Sequence, residues 1–303
     1  MRSMVEGPAR AQNPSTAFGG PPPLEIEWRR FCTALPPLLA SAKQGKRGKA
    51  MGWATGRHAL ITGGGTGIGA ATARALAAEG AEVTLLGRRR EPLELVASTI
   101  GGTVIACDVT DRDALQTAFR DARTANGPLD YVVLNAGIGD SAPFQRTGRD
   151  AWDRIIATNL TSLFDGAQLA LPDLLDGEDK RLVIVASVAG LKGAPYAAPY
   201  AASKHGAVGL AKSLALEFAK TSLTVNAVCP AFVDTPMVDQ SAERIQRATG
   251  RSGDEARGAL AAMNANGRFV TSEEVAAAIA FLCRPDSRSI TGACLTIDGG
   301  TTA

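Results

Sequence analysis

Tyr200 and Lys204 stand four residues apart in the run APYAAPYAASKHG, residues 194–206. On a helix that spacing puts both side chains on one face. An unperturbed phenol ionises at about pH 10 and is a poor base near neutrality. A nearby ammonium favours the phenolate, and lowering the phenol by about three units takes roughly 4 kcal/mol of differential electrostatics. A phenol tuned in this way can exchange a proton with the oxygen of a carbonyl or alcohol. Tyr196 has only Tyr200 at the same spacing, so it reads as a loop aromatic that lines a pocket or simply packs.

A second cluster is TGGGTGIG, Thr62 to Gly69, which joins the apolar run HALIT (58–62) to an amphipathic segment (71–80). A strand, a glycine-rich turn and a helix start together make an anion site. The first helical N–H groups are unpaired and carry partial positive charge. Glycines let the backbone approach a pyrophosphate and take positive φ. Three glycines can also make a plain turn, but their place after the first strand favours a dinucleotide site built from Gly63, Gly65, Thr66, Gly67, Ile68 and Gly69. Ser187 ends a later apolar run, RLVIVAS (181–187). Its hydroxyl could donate to a carbonyl oxygen as negative charge develops there.

These groups need a scaffold, and the chain from residue 58 onward supplies one. EVTLLG (82–87), TVIACDV (103–109), DYVVLNAG (130–137), LTVNAVCP (223–230) and ACLTIDGG (293–300) are further strand-like runs, most of them separated by helical patterns. Continuous apolar strands alternating with helices indicate a parallel sheet covered on both faces. The expected fold is α/β: a single doubly wound, Rossmann-type domain with a parallel seven-stranded sheet, spanning residues 53–303.

Residues 1–52 read differently. The first 50 hold 7 of the 16 prolines and carry 8 Lys/Arg against 3 Asp/Glu. No periodic pattern persists apart from a short apolar run around Leu35 to Leu39, so a largely disordered extension with at most one short helix is expected. It lacks the apolar centre of a signal peptide. Met51 leaves open an upstream start codon as the origin of this segment.

Composition narrows the partners. The formal net charge of +2 calls for neither nucleic acid nor an anionic membrane. No apolar run reaches the length of about 18 residues needed to span a bilayer. The five cysteines form no C-x-x-C, so no metal site is expected, and a reducing cytoplasm is the simplest compartment. With only His58 and His205, a Ser-His-Asp hydrolase is disfavoured. His58 is expected at the surface.

Taken in order, the motifs resemble those of the short-chain dehydrogenase/reductase family, from about residue 58 to residue 300. Gly63, Gly67 and Gly69 fit its TGxxxGxG spacing. Asn135, Ala136 and Gly137 match its NAG tripeptide, and Asn159 its helix asparagine. Tyr200 and Lys204 form Y-x-x-x-K, with Ser187 thirteen residues upstream. The resemblance implies that Tyr200 is the proton donor in reduction and the base in oxidation. It also implies that Lys204 hydrogen-bonds the nicotinamide ribose, and that Asn159 holds a water linking the lysine to solvent. Asp108 and Val109 resemble the pair that contacts adenine. Pro230, Val233 and Thr235 match the segment that holds the carboxamide, with Ala231 in place of the usual glycine.

The resemblance also bears on cofactor and substrate. Gly87 stands where NAD-preferring relatives carry Asp, and Arg88 and Arg89 follow. Guanidinium groups suit a 2′-phosphate, so NADP(H) is expected over NAD(H), although three successive arginines also fit a solvated charge run. Residues 236–268 would cover the active site. There Arg244, Arg247, Arg251 and Arg257 either meet the phosphates of a coenzyme A or acyl-carrier thioester or form a solvated basic face. The pattern is most similar to 3-oxoacyl-thioester and polyketide ketoreductases, which implies NADPH-dependent reduction of a ketone and a homotetramer. NAD-dependent oxidation of a secondary alcohol such as a 3-hydroxyacyl-CoA is the alternative; a dinucleotide sensor without turnover is a third, weaker reading.

Overall fold

The computed structural model describes residues 52–303, so the expectations for the N-terminal extension fall on residues outside that range. Seven strands alternate with helices: β1 (His58–Thr62), β2 (Glu82–Gly87), β3 (Thr103–Ala106), β4 (Tyr131–Leu134), β5 (Lys180–Val185), β6 (Leu223–Pro230) and β7 (Cys294–Ile297). All pairings are parallel, in the order β3-β2-β1-β4-β5-β6-β7. The chain winds outward from β1 in one direction and then restarts at β4 in the other. Connections leave β1 and β4 in opposite directions, so a crevice opens beyond their carboxyl ends.

Successive side chains of a strand face opposite sides, and both sides are covered here. Leu60, Val132, Leu134, Leu182 and Ile184 pack with α3 (Arg112–Asn126), α5 (Ser162–Leu174) and α6 (Ala198–Glu217). Ala59, Ile61, Val83, Leu85, Val133 and Val183 pack with α1 (Gly67–Ala78), α2 (Arg90–Ile100) and α9 (Ser272–Cys283). Two-sided burial is why the strands read as unbroken apolar runs. Between α3 and α5 lies α4 (Arg149–Ile156), which continues into a π-helical turn, Ala157–Thr161.

Two further helices, α7 (Pro236–Thr249) and α8 (Gly253–Ala261), follow β6. They have an apolar cluster of their own, in which Val238, Ala242, Ala256 and Leu260 meet Phe232, Ile245 and Phe269. The base of this pair is closed by a parallel bridge between Val233 and Val270. The Asn264 side chain bonds both the N–H and the C=O of Phe232, each at 3.0 Å.

His58 is buried, 2 % exposed, and not a surface residue as its position before the first strand suggested. It opens a central strand, and its ring reaches Gly127 O through Nδ1 (2.8 Å) and Thr84 Oγ1 through Nε2 (2.9 Å). A neutral ring with its proton on Nδ1 satisfies both partners. Burial lowers its pKa below the ordinary 6.5. The unfolded chain therefore binds this proton more readily, so the stability contribution is full above the unfolded value and is lost as pH falls through it. Denaturant midpoints should drop between pH 7.5 and 5.5. His58→Gln, whose amide can serve both partners without titrating, should show a smaller drop; an equal drop would remove His58 as the cause.

Candidate active site

The glycine turn sits at the carboxyl end of β1. Gly63 has φ +66°, a left-handed conformation that a side chain would strain. Gly69 is needed for another reason: a Cβ there would lie 2.2 Å from Gly63 O. Thr66 caps α1 with extended backbone and no side-chain hydrogen bond, so its hydroxyl does not consume the N–H groups of the first turn. Ile68, half-buried, packs onto the core below, and Gly65 abuts Pro92 and Leu93 at the start of α2. Asn135, just past β4, clamps the turn. Its Nδ2 donates to Thr62 O (2.9 Å) and Gly63 O (3.3 Å). In return Thr62 Oγ1 accepts from the N–H groups of Asn135 (2.9 Å) and Ala136 (3.0 Å).

A cavity of about 350 Å³ runs beside this turn, lined by Gly63, Gly87, Arg88, Asp108, Val109 and Gly137 among others. Gly87 ends β2 without a carboxylate, and Arg88 and Arg89 are exposed. Neither makes an ion pair among the described residues, whereas Arg90 lies 3.5 Å from Glu94. Asp108 turns its carboxylate to the N–H (3.0 Å) and hydroxyl (2.8 Å) of Thr110. A helix start without a side-chain cap, a turn too tight for side chains and a guanidinium at the far end fit a phosphorylated dinucleotide. Ile138, Arg154, Ala157 and Thr158 also line the cavity and carry no motif of their own. Only their nearness in sequence to Gly137 and Asn159 pointed to them.

The reactive candidates meet at the carboxyl ends of β4 and β5. Ser187 follows β5; its hydroxyl accepts from Ala189 N–H (3.1 Å) and lies 3.4 Å from Pro230 O. Tyr200 is in the first turn of α6 and Lys204 one turn on. Lys204 Nζ donates to Val185 O at 2.9 Å and lies 5.7 Å from the centroid of the Tyr200 ring. Asn159, in the π-helical turn, accepts from Ile138 N–H (2.8 Å) and donates to Ile138 O (2.9 Å) and Ser203 Oγ (3.3 Å). A Cβ on Gly137 would sit 3.4 Å from Asn159 Oδ1 and 3.7 Å from Lys204 Nζ. Gly137 is thus where the amide, the ammonium and the cavity come together.

The electrostatics differ from the sequence expectation. Burial raises the Tyr200 pKa, opposed by a hydrogen bond from Ser187, and the lysine is not among its causes. Lys204 is 4 % exposed, and burial lowers its pKa to about 8. The ammonium spends a hydrogen bond on Val185 O, and desolvation outweighs its pull on the phenol. With its pKa raised, Tyr200 is protonated at neutral pH, the form that donates.

Pro230 ends β6, Val233 forms the bridge to Val270, and Thr235 caps α7. Thr235 Cγ2 packs closely against Gly67, joining the start of α7 to the glycine turn. Ala231 is not among the residues with positive φ, so alanine carries no strain there. Of the four lid arginines, two are engaged internally. Arg244 donates to Asp140 Oδ1 (2.7 Å), and Arg257 pairs with Asp234 (2.6 Å) and Asp239. Arg247 and Arg251 remain exposed. Tyr196 lies in the loop before α6 with φ +63° and is exposed.

Known proteins resemble this chain over most of its length. A family profile described as enoyl-(acyl carrier protein) reductase matches residues 63–302. The 3-oxoacyl-[acyl-carrier-protein] reductase MabA of Mycobacterium tuberculosis is 36 % identical over 244 residues, 80 % of this chain and 92 % of MabA. D-beta-hydroxybutyrate dehydrogenase of Cupriavidus necator is 35 % identical over 254 residues, covering 82 % of this chain and 98 % of that protein. Among solved structures, a variant of actinorhodin polyketide ketoreductase with NADPH superposes with a TM-score of 0.78 at 34 % identity, covering 81 % of this chain and 97 % of that one. The chain is an oxidoreductase of the short-chain dehydrogenase/reductase family.

Proposed function

We propose that the protein reduces the keto group of a 3-oxoacyl thioester or a related polyketide chain, with NADPH as hydride source. The observation that carries this reading is the meeting of Asn159 and Lys204 at Gly137, with Tyr200 one helical turn from Lys204 and bonded to Ser187, beside a groove that Arg88 lines and where β2 ends in Gly87 and not in an acidic residue. Glycines 63, 65, 67 and 69, with Thr66 and Ile68, would hold the pyrophosphate. Asp108 and Val109 would face the adenine, and Arg88 and Arg89 the 2′-phosphate. Asn135 to Gly137, Pro230, Val233 and Thr235 would border the nicotinamide. A bound reduced nicotinamide supplies the hydride.

The remaining steps belong to the chain. The Ser187 hydroxyl donates to the ketone oxygen as charge builds there. Tyr200, a phenol protonated at neutral pH and held so more firmly by desolvation, transfers its phenolic proton to that oxygen. Lys204 stands next in line with an ammonium already weakened by burial, so returning a proton to the phenolate is easier than from an ordinary lysine. Relatives named for 3-oxoacyl-carrier and polyketide substrates support the substrate class. The hydroxybutyrate dehydrogenase relative favours a second reading, NAD-dependent oxidation of a 3-hydroxyacyl compound. Exposed Phe164 on α5 and Leu216 on α6 suit helix-mediated assembly, in keeping with a homotetramer, and the free thiols Cys107, Cys229 and Cys283 suit a reducing cytoplasm.

A panel of 3-oxoacyl thioesters and 3-hydroxyacyl compounds, run with both cofactors, tests the assignment; turnover of the ketones with NADPH is expected. Faster alcohol oxidation with NAD would install the second reading. Arg88→Ala should weaken NADP(H) binding by about tenfold or more and leave NAD(H) nearly unchanged, as measured by titration. Equal losses would overturn the phosphate role. Tyr200→Phe should lower turnover by at least about a hundredfold with cofactor affinity retained.

Lys204 gives a separate prediction. A shift from 10.5 to about 8 means that the folded state holds this charge at neutral pH at a cost of about 3 kcal/mol. Lys204→Met should therefore raise the melting temperature of the cofactor-free protein by a few degrees while abolishing most turnover. A lower melting temperature would show that the bond to Val185 O outweighs the burial cost.

A further inference from the structure

The loop that leaves β4, residues 138–142, is held from four directions. Asn159 takes both backbone groups of Ile138. The N–H of Ala142 donates to Tyr196 O at 2.8 Å, fastening the loop to the segment before α6. Asp140 accepts from Arg154 of α4 through Oδ2 (2.8 Å) and from Arg244 of α7 through Oδ1 (2.7 Å). Arg244 also donates to Gly139 O at 3.2 Å and 3.3 Å. Beside that contact Gly139 lies close to α7, where a Cβ would sit 3.1 Å from Met237 Sδ and crowd it.

We propose that Asp140 is a positioning residue that latches the α7–α8 pair over the ketone-binding side of the cleft. The pair has its own apolar cluster and is closed at its base by the Val233–Val270 bridge and by Asn264. Such a unit moves as a body about its base, and its inner edge needs a separate fastening. The Asp140–Arg244 pair is that fastening. It is polar and only partly shielded, with side-chain exposures of 29 % and 28 %, so it can open to water at small cost. The Gly139–Met237 contact adds shape without an apolar interlock.

Two features make the latch more than a surface ion pair. Asp140 receives two guanidinium groups from different helices, one on each of its oxygens, so its carboxylate has a fixed direction. Arg154 also lines the cofactor cavity. One carboxylate therefore ties the wall of the groove to the lid, and groove and lid share a partner. The Arg257 pairs with Asp234 and Asp239 lie on the far side and stay within the lid and its approach. They hold the unit together and do not close it.

The inference rests on the ketoreductase reading for its kinetic consequence but not for its structural one, and the experiment separates the two. Asp140→Asn, Arg244→Gln and the double variant are compared in the full chain with NADP(H) bound. Arg149→Gln, which breaks the exposed pair with Asp153 on α4, serves as control. Amide exchange in α7 should quicken roughly three- to tenfold in each single variant, and the double should fall well short of the product of the two single effects. The ketone KM should rise by a similar factor, with kcat less affected and cofactor affinity within about twofold. The control should match the parent. Unchanged exchange in α7, or single-variant effects that add in the double, would overturn the latch. Should no ketone be turned over, the proposed reaction falls while the exchange data still decide the role of Asp140.

Discussion

The clamp between Asn135 and the end of β1 is the interaction on which the rest of the site depends. Side-chain and backbone groups of β4's exit bond both Thr62 and Gly63. At this point the two halves of the sheet part, and backbone groups there would otherwise lack partners. Pairing them with each other fixes the glycine turn against the Ala136–Gly137 backbone. The glycine turn and the loop that leaves β4 then share one reference, although they arise from segments some 70 residues apart in sequence. Preorganisation of this kind costs nothing further when a ligand arrives.

A second constraint is desolvation. Lys204 and Tyr200 are drawn into the end of the sheet by α6, which begins with Pro199 in its first turn and runs on to Glu217. Burial raises the phenol and lowers the ammonium to about 8, so their proton affinities move apart and the phenolate becomes the stronger base of the two. A proton passing from the ammonium to a phenolate then moves further downhill than it would between the free side chains. Burial acts in opposite senses on an acid that ionises to an anion and an acid that ionises to a neutral amine, and it moves the phenol opposite to the lowering that charge attraction would give.

Much of the fold could be read from the chain because two-sided burial leaves unbroken apolar runs, and HALIT, EVTLLG and LTVNAVCP became β1, β2 and β6 with the boundaries their residues suggested. Short motifs with a local cause were legible for the same reason: Gly63 and Gly69 are demanded by backbone geometry within one turn. What escaped reading depends on partners far along the chain. His58 looked like a surface residue because nothing near it shows that Gly127 and Thr84 will enclose it. Arg244 and Arg257 looked available to a substrate because Asp140 and Asp234 become their partners only after β6 brings α7 and α8 back over the sheet. Arg154 and Thr158 entered the groove without any motif, Arg154 from α4 and Thr158 from the π-helical turn that also places Asn159.

That turn explains why one short stretch can serve both cofactor and lid. A π-helical turn widens the helix by one residue and shifts the phase between α4 and α5. The shift lets Asn159 point at the Ile138 backbone while Arg154, one turn earlier, reaches Asp140. In an uninterrupted α-helix the phase of residues after the turn would differ by about 100° per residue gained or lost. The amide and the guanidinium would then no longer bracket the same loop. The loop after β4 is thus bordered by a helix defect on one side and by α7 on the other, between the strand it leaves and the chain that runs on to α4. Whatever ligand fills the groove must fit a wall whose position is set jointly by Asn159, Arg154 and Arg244, three residues on three separate helical segments.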